Sequence, residues 1–274
     1  MLTDLHIHTL ISPDSDTALT DMALAAAGRG VGCLCFTDHC DLDDYRTGTP
    51  DPECFDRIRD DMYRQFLDAK PYLSELGIDV RLGIELGEMT HDPDRAADIA
   101  AEPELDFVLG SLHNLRNTKD FYDLTYESAE QCRDLLHKYM EELVELARFG
   151  HFDSMAHIGY ARRYMYNAGF DTALDLDHHG DELETLFSVL IQSGLGIELN
   201  CSGFRHPGIA GPIPTGEILS LYRSMGGEII TVGGDAHSTS EAGTCIAEGF
   251  ELLRSLGFRY VSTFRNRRME MIRI

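Results

Sequence analysis

His6 and His8 stand two residues apart in Asp4-Leu5-His6-Ile7-His8-Thr9, where a short apolar run reads as a strand. Side chains two apart on a strand point to the same face, so both imidazoles can meet at one point. Such a pair is a weak signal alone and gains weight from what recurs down the chain. Thr37-Asp38-His39, Gly83-Ile84-Glu85, Gly110-Ser111-Leu112-His113, Ala156-His157 and Gly234-Asp235-Ala236-His237 each follow another apolar run. With Asp14, the metal-ligand candidates are His6, His8, Asp14, His39, Glu85, His113, His157, Asp235 and His237. Imidazoles and carboxylates without thiolate suit Zn²⁺, Mn²⁺ or Fe²⁺. One zinc takes about three or four protein ligands, so this set implies two to three divalent ions with a carboxylate bridging at least two of them. Neighbouring cations clamp the attacking and leaving oxygens of a phosphoryl group and acidify bound water. The inferred chemistry is metal-assisted hydrolysis, most naturally of a phosphate ester.

Bringing these residues together falls to the strands. Strand-like runs occupy 2–8, 31–37, 80–85, 107–113, 154–157, 195–200 and 228–232, with a weaker one at 260–264. Helical stretches lie at 19–28, 54–76, 127–149, 181–193, 216–225 and 241–256. In 127–149, Leu135, Leu136, Tyr139, Leu143, Leu146 and Ala147 recur at three- and four-residue spacing and predict a buried stripe. Gly28, Gly77, Gly150, Gly194, Gly226 and Gly257 stand where helices stop. Alternating strand and helix means a parallel sheet with crossover helices. A doubly wound sheet builds its site from two or three strand ends, whereas a barrel gathers residues from many at its C-terminal face. Six of the first seven runs finish with a His, Asp or Glu, so the predicted fold is a closed or nearly closed α/β barrel. Its ring has seven strands, or eight if 260–264 joins it. No Pro/Ser/Gly-rich linker divides the chain, so 1–274 reads as a single domain.

The formal net charge of −24 over 274 residues argues against nucleic acid or an anionic membrane as a partner. No apolar stretch approaches a membrane span and no basic-then-apolar leader opens the sequence, which points to the cytoplasm. Seven scattered cysteines fit reduced thiols there. Cys33, Cys35 and Cys40 read as buried strand residues, since no partner CxxC follows to complete a zinc knot. Asp4, Thr37 and Asp38 read as partners that orient imidazoles. His91, His137, His151, His178, His179 and His206 read as solvated or capping residues, and Tyr122, Tyr126, Tyr160 and Tyr164 as packing residues.

In this order, HxH, TDH, GSxH and a late DAH resemble the PHP (polymerase and histidinol phosphatase) superfamily over essentially the whole chain. The resemblance implies a distorted, TIM-like (β/α)7 barrel that binds three metals at the C-terminal ends of its strands. It implies a first metal at His6, His8, Glu85 and Asp235, with Glu85 bridging to a second held by His113 and His157. A third would take Asp14, His39 and His237; Asp14 stands where many family members have histidine. Catalysis would centre on Glu85, Asp235 and His237. The segments 157–164 (HIGYARRY) and 198–205 (ELNCSGFR) resemble those of stand-alone histidinol phosphatases, with Cys201 in place of a small hydroxyl residue. Arginine forks fit multi-oxygen anions, so Arg163 or its neighbour Arg162, together with Arg205 and Ser202, would hold the phosphate. Arg205 is the stronger candidate because it follows a Ser-Gly turn after a barrel strand. The implied partner is a small-molecule phosphate ester, L-histidinol phosphate, in histidine biosynthesis, with no particular oligomeric state. The alternatives are another small phosphate, a nucleotide or a phosphotyrosine protein as substrate, or a non-catalytic metal-binding module.

Overall fold

Seven parallel strands form an almost closed ring in the computed structural model, which describes residues 1–170, 173–209 and 211–274. They are β1 (Leu2–Ile7), β2 (Val31–Phe36), β3 (Asp79–Gly87), β4 (Phe107–Ser111), β5 (Ser154–Met155), β6 (Gly196–Asn200) and β7 (Ile230–Gly233), paired in that order. Just past its last residue β7 returns to β1: Asp235 N donates to His6 O at 2.7 Å, and His8 N donates to Ala236 O at 3.0 Å. A three-residue strand, His39–Asp41, runs beside the upper half of β3 and brings His39 level with Glu85. Helices cover the outside: α1 (Leu19–Gly28), α2 (Cys54–Glu75), α3 (Pro93–Ala100), α4 (Ala129–Phe149), α5 (Arg162–Asn167), α6 (Leu176–Ser193), α7 (Ser202–Arg205), α8 (Gly216–Ser224) and α9 (Ile246–Ser255). Strands covered on both faces need apolar residues throughout, and β2, Val-Gly-Cys-Leu-Cys-Phe, has that composition.

The amphipathic stripe of α4 buries Leu136, Tyr139, Leu143, Leu146 and Ala147, while Leu135, at its edge, is only partly buried. Ser128 caps the helix by accepting from Gln131 N at 3.1 Å, and Gly150, at φ +70°, ends it. Helix α6 starts five residues before the expected 181, because Asp175 caps it through His178 N. Helix α9 starts only at Ile246, since Cys245 at φ +61° breaks any helix reaching back to 241. The 260–264 run lies outside the ring as β8 (Tyr260–Arg265), antiparallel to β9 (Arg268–Arg273).

This β8–β9 hairpin seals the barrel at the N-terminal ends of the strands. Phe264 stacks on Phe107 at 5.2 Å, within a buried cluster that includes Leu5, Cys33, Cys35, Leu109 and Ala156. Buried Arg81 donates to Thr263 Oγ1 at 2.6 Å and Phe264 O at 2.7 Å. Arg267 donates to Asp153 Oδ2 at 2.6 Å, just ahead of β5. All seven cysteines are free thiols, with Cys33, Cys35 and Cys40 buried as expected. Among the described residues no helix is long and apolar enough to cross a membrane.

Candidate metal centre

Glu85 points its carboxylate into the C-terminal mouth of the barrel, fully buried, and its two oxygens face different imidazoles. Oε2 lies 2.9 Å from His39 Nδ1, 3.3 Å from His6 Nε2 and 3.5 Å from His8 Nε2. Oε1 lies 2.9 Å from His157 Nε2 and 3.1 Å from His113 Nε2. Asp235 Oδ1 closes the first group, 3.8 Å from His6 Nε2 and 3.6 Å from His8 Nε2. At the outer edge Asp14 Oδ2 sits 3.1 Å from His237 Nε2 and 3.7 Å from His39 Nε2. All nine candidates thus meet in one place, with His39 reaching both Glu85 and the outer group around Asp14 and His237. Asp41 also comes within ligand reach of His39 and His113.

Hydrogen bonds on the far side of three of the rings fix which nitrogen faces inward. Glu198 Oε1 accepts from His6 Nδ1 at 2.8 Å, which leaves Nε2 as the inward atom. Ser12 Oγ donates to Asp38 Oδ1 at 2.7 Å and can therefore only accept from His8 Nδ1, 3.0 Å away. Asp41 Oδ1 accepts from His113 Nδ1 at 3.1 Å. Carboxylates behind imidazoles set tautomer and basicity in this way at metal sites. Of the expected orienting residues, Asp38 acts on an imidazole through Ser12. Asp4 and Thr37 serve the backbone instead: Asp4 accepts from Gly234 N at 2.7 Å, and Thr37 Oγ1 accepts from Ile7 N at 3.3 Å. Glu198 and Ser12 were given no role by the sequence. A lone acid within the apolar run Gly-Ile-Glu-Leu-Asn was the signal for Glu198.

The electrostatics and the unpaired atoms fit divalent cations. Burial pushes the Glu85 carboxyl up, but His6, His113 and His39 outweigh it and hold it well below its ordinary range. Burial together with neighbouring His237 and His39 keeps His8 far below the usual imidazole value, hence neutral with a lone pair to offer. His6 Nε2 and His8 Nε2 lie only 3.0 Å apart, so both cannot carry protons there. Glu85 Oε2 and His39 Nδ1, though 2.9 Å apart, are not aligned as a hydrogen bond, and both are buried without another partner. His237 Nε2 is unpartnered in the same sense. Lone pairs that converge without pairing, in a set of imidazoles and carboxylates, are the arrangement of ligands around a shared cation. Two of the candidates also hold strained backbone: His157 at φ +22° and Asp235 at φ +51°.

Beside this group opens a cleft of roughly 270 Å³ lined by Arg163, Ser202, Arg205, His206, Pro207, Asp235, His237 and Glu241. Arg163 Nη2 donates to Asp235 Oδ2 at 2.8 Å and also bonds Ser202 Oγ. Arg205 Nη2 donates to Asp235 O at 3.0 Å. Burial raises the Asp235 carboxyl, but Arg163 and His6 more than reverse this and hold it well below its usual value. Arg162 is not brought here; it lines a separate crevice with Gly159, Leu174 and Ile218, because α5 turns adjacent side chains to different sides. Tyr160 packs its ring 4.8 Å from that of His113 and donates to Asp120 Oδ1 at 3.2 Å. His91, expected to be solvated, is buried between Asp43 Oδ2 at 2.7 Å and Glu142 Oε2 at 3.1 Å.

A PHP domain model matches residues 4–202. A Clostridium acetobutylicum protein named "Probable histidinol-phosphatase" is 26% identical over 244 residues, 89% of each chain. The histidinol-phosphatase of Lactococcus lactis subsp. lactis is 21% identical over 272 residues, covering 97% of this chain and 96% of its own. A crystal structure of histidinol phosphate phosphatase from the latter organism, complexed with zinc, L-histidinol and phosphate, superposes with a TM-score of 0.74 at 20% identity over 98% of both chains. That likeness establishes the fold. The sequence match, which takes in most of the chain and seven of its nine converging residues, all but Asp235 and His237, carries the assignment further. The chain belongs to the PHP domain family.

Proposed function

We propose that this protein is a metal-dependent phosphomonoester hydrolase that converts L-histidinol phosphate and water into L-histidinol and phosphate. The observation that carries this reading is the divided Glu85 carboxylate, with Asp235 beside it anchoring two arginines on an open cleft. The PHP family match and relatives named for this activity support the substrate. His6, His8, Glu85 and Asp235 would hold one cation, Glu85, His113 and His157 a second, and Asp14, His39 and His237 a third. Bound there, divalent cations supply Lewis-acid stabilisation and an acidified water.

The chain's own groups do the rest. Arg163 and Arg205 present forked donors to the phosphate oxygens and offset charge that builds on them during transfer. Ser202 and Asn200 hold Arg163 and Asp235 in place: Asn200 Nδ2 donates to Asp235 Oδ2 at 3.3 Å. Glu198, Ser12 and Asp41 engage the outward nitrogens of His6, His8 and His113 and aim the inward ones at the cations. The ring is completed by β7, which lies beyond the matched residues 4–202 and supports reading 1–274 as a single domain.

The test is phosphate release from L-histidinol phosphate and from an aryl phosphate, using protein reloaded with Mn²⁺ or Zn²⁺. Strong preference for histidinol phosphate, abolished by chelator and restored by metal, is the expected result. Turnover of the aryl phosphate alone would keep the hydrolase and discard the substrate. Inactivity on both with metal bound would favour a non-catalytic metal-binding module. Glu85→Gln is expected to lose turnover together with bound metal; an active variant with full metal content would remove Glu85 from the bridge.

A further inference from the structure

We infer that His137, Glu182 and His179 form a separate zinc-type cation site that ties α4 to α6 on the outside of the barrel. The three share no residue with the candidate centre, and one donor atom from each lies within 4.8 Å of the others. His137 Nδ1, on α4, is 2.8 Å from Glu182 Oε1 on α6, and the His137 and His179 rings stand 4.9 Å apart. Two imidazole nitrogens and one carboxylate oxygen make a three-ligand zinc set with one position left for water. The side chains of His137 and Glu182 are 49% and 30% exposed, so an ion can enter from solvent.

His179 distinguishes this cluster from a surface ion pair. It is only 2% exposed, yet neither of its ring nitrogens has a hydrogen-bond partner among the described residues. Buried polar atoms are nearly always paired, and an imidazole with both nitrogens bare calls for a partner such as an ion. The backbone departs from the helix at this same residue, with φ −128° and ψ 15° inside α6. A His137–Glu182 pair alone would account for neither fact. Bound zinc would cross-link two helices that follow one another around the barrel, a structural role distinct from hydrolysis.

The test is zinc content of the full-length protein at buffered free zinc from the nanomolar to the micromolar range, beside Glu182→Gln and His137→Gln. Both substitutions fall on half-exposed side chains and leave the packing of α4 and α6 in place. Wild type should hold one more equivalent than either variant. Diethyl pyrocarbonate mapping by mass spectrometry gives an independent readout: zinc should protect His137 in the wild type and not in Glu182→Gln. Equal zinc content in wild type and variants, or a His137 that reacts equally with and without zinc, would overturn the proposal.

Discussion

Carboxylates behind the rings decide which nitrogen His6 and His113 turn inward. Glu198 does most, accepting from His6 Nδ1 at 2.8 Å, from His157 N at 2.8 Å and from Asn200 Nδ2 at 3.0 Å. Loss of such a partner commonly lowers metal affinity or activity by about 10–100-fold. Glu198→Gln is expected to fall in that range, with metal content at limiting zinc as the measurement and an unchanged unfolding temperature. Gly233→Ala should reach the same result by another route. Its added methyl would lie 2.0 Å from Glu198 Oε1 and 2.5 Å from His6 Cβ, so the pair must separate. Overpacking of this kind costs roughly 1–3 kcal/mol, visible in the denaturation midpoint, and metal should be lost in parallel. If Gly233→Ala kept full metal content, the contact would not govern the ligand. The ligand candidates themselves were legible because each ends an apolar run. Glu198 was not, since it sits 192 residues from the histidine it serves and only barrel closure joins them.

At the scale of elements, periodicity located the long helices and the barrel strands, while local chemistry set their ends. Helix α3 is eight residues long, too short to show a period, and is announced only by Asp92 accepting from Arg95 N and by Pro93. The turn between β3 and α3 is fastened by His91, which joins it to Asp43 and to Glu142 on α4. Burial lowers His91, but bonds to both carboxylates reverse this and push it up to about 9 from an ordinary 6.5. A histidine raised on folding stabilises fully below its unfolded value and loses that contribution as pH rises through the folded one. The wild-type advantage over His91→Gln should therefore be complete below pH 6.5 and gone above about 9. Chemical denaturation across that window measures it, and a pH-independent difference would assign the effect to packing alone.

Considered whole, the molecule separates stability from chemistry along the barrel axis. The hairpin β8–β9 seals one end through Phe264, Arg81 and Arg267, while the candidate centre occupies the other. Phe264 is 5% exposed, and a buried Phe→Ala change typically costs about 3–5 kcal/mol. Phe264→Ala should lower stability by that order, yet leave metal content and substrate turnover near wild type at low temperature. A variant that lost metal while still folded would show that the two ends are coupled. The run at 260–264 was visible in the sequence. Its place beneath the ring was not, because nothing in a lone apolar segment states which opening it stops.

The bond from Asp235 N to His6 O joins two parts of the chain that are synthesised far apart in time. His6 and His8 emerge with β1, but Asp235 and His237 follow only after β2 to β7 have been made. Domains tend to fold as units during synthesis. Under the proposed assignment, the cations that take Asp235 and His237 cannot find their full donor sets until the ring closes, so their capture is a finishing step of biogenesis and not a nucleus for it. A chain interrupted before β7 would carry most of the histidines and none of the closure, scavenging ions without being able to keep them.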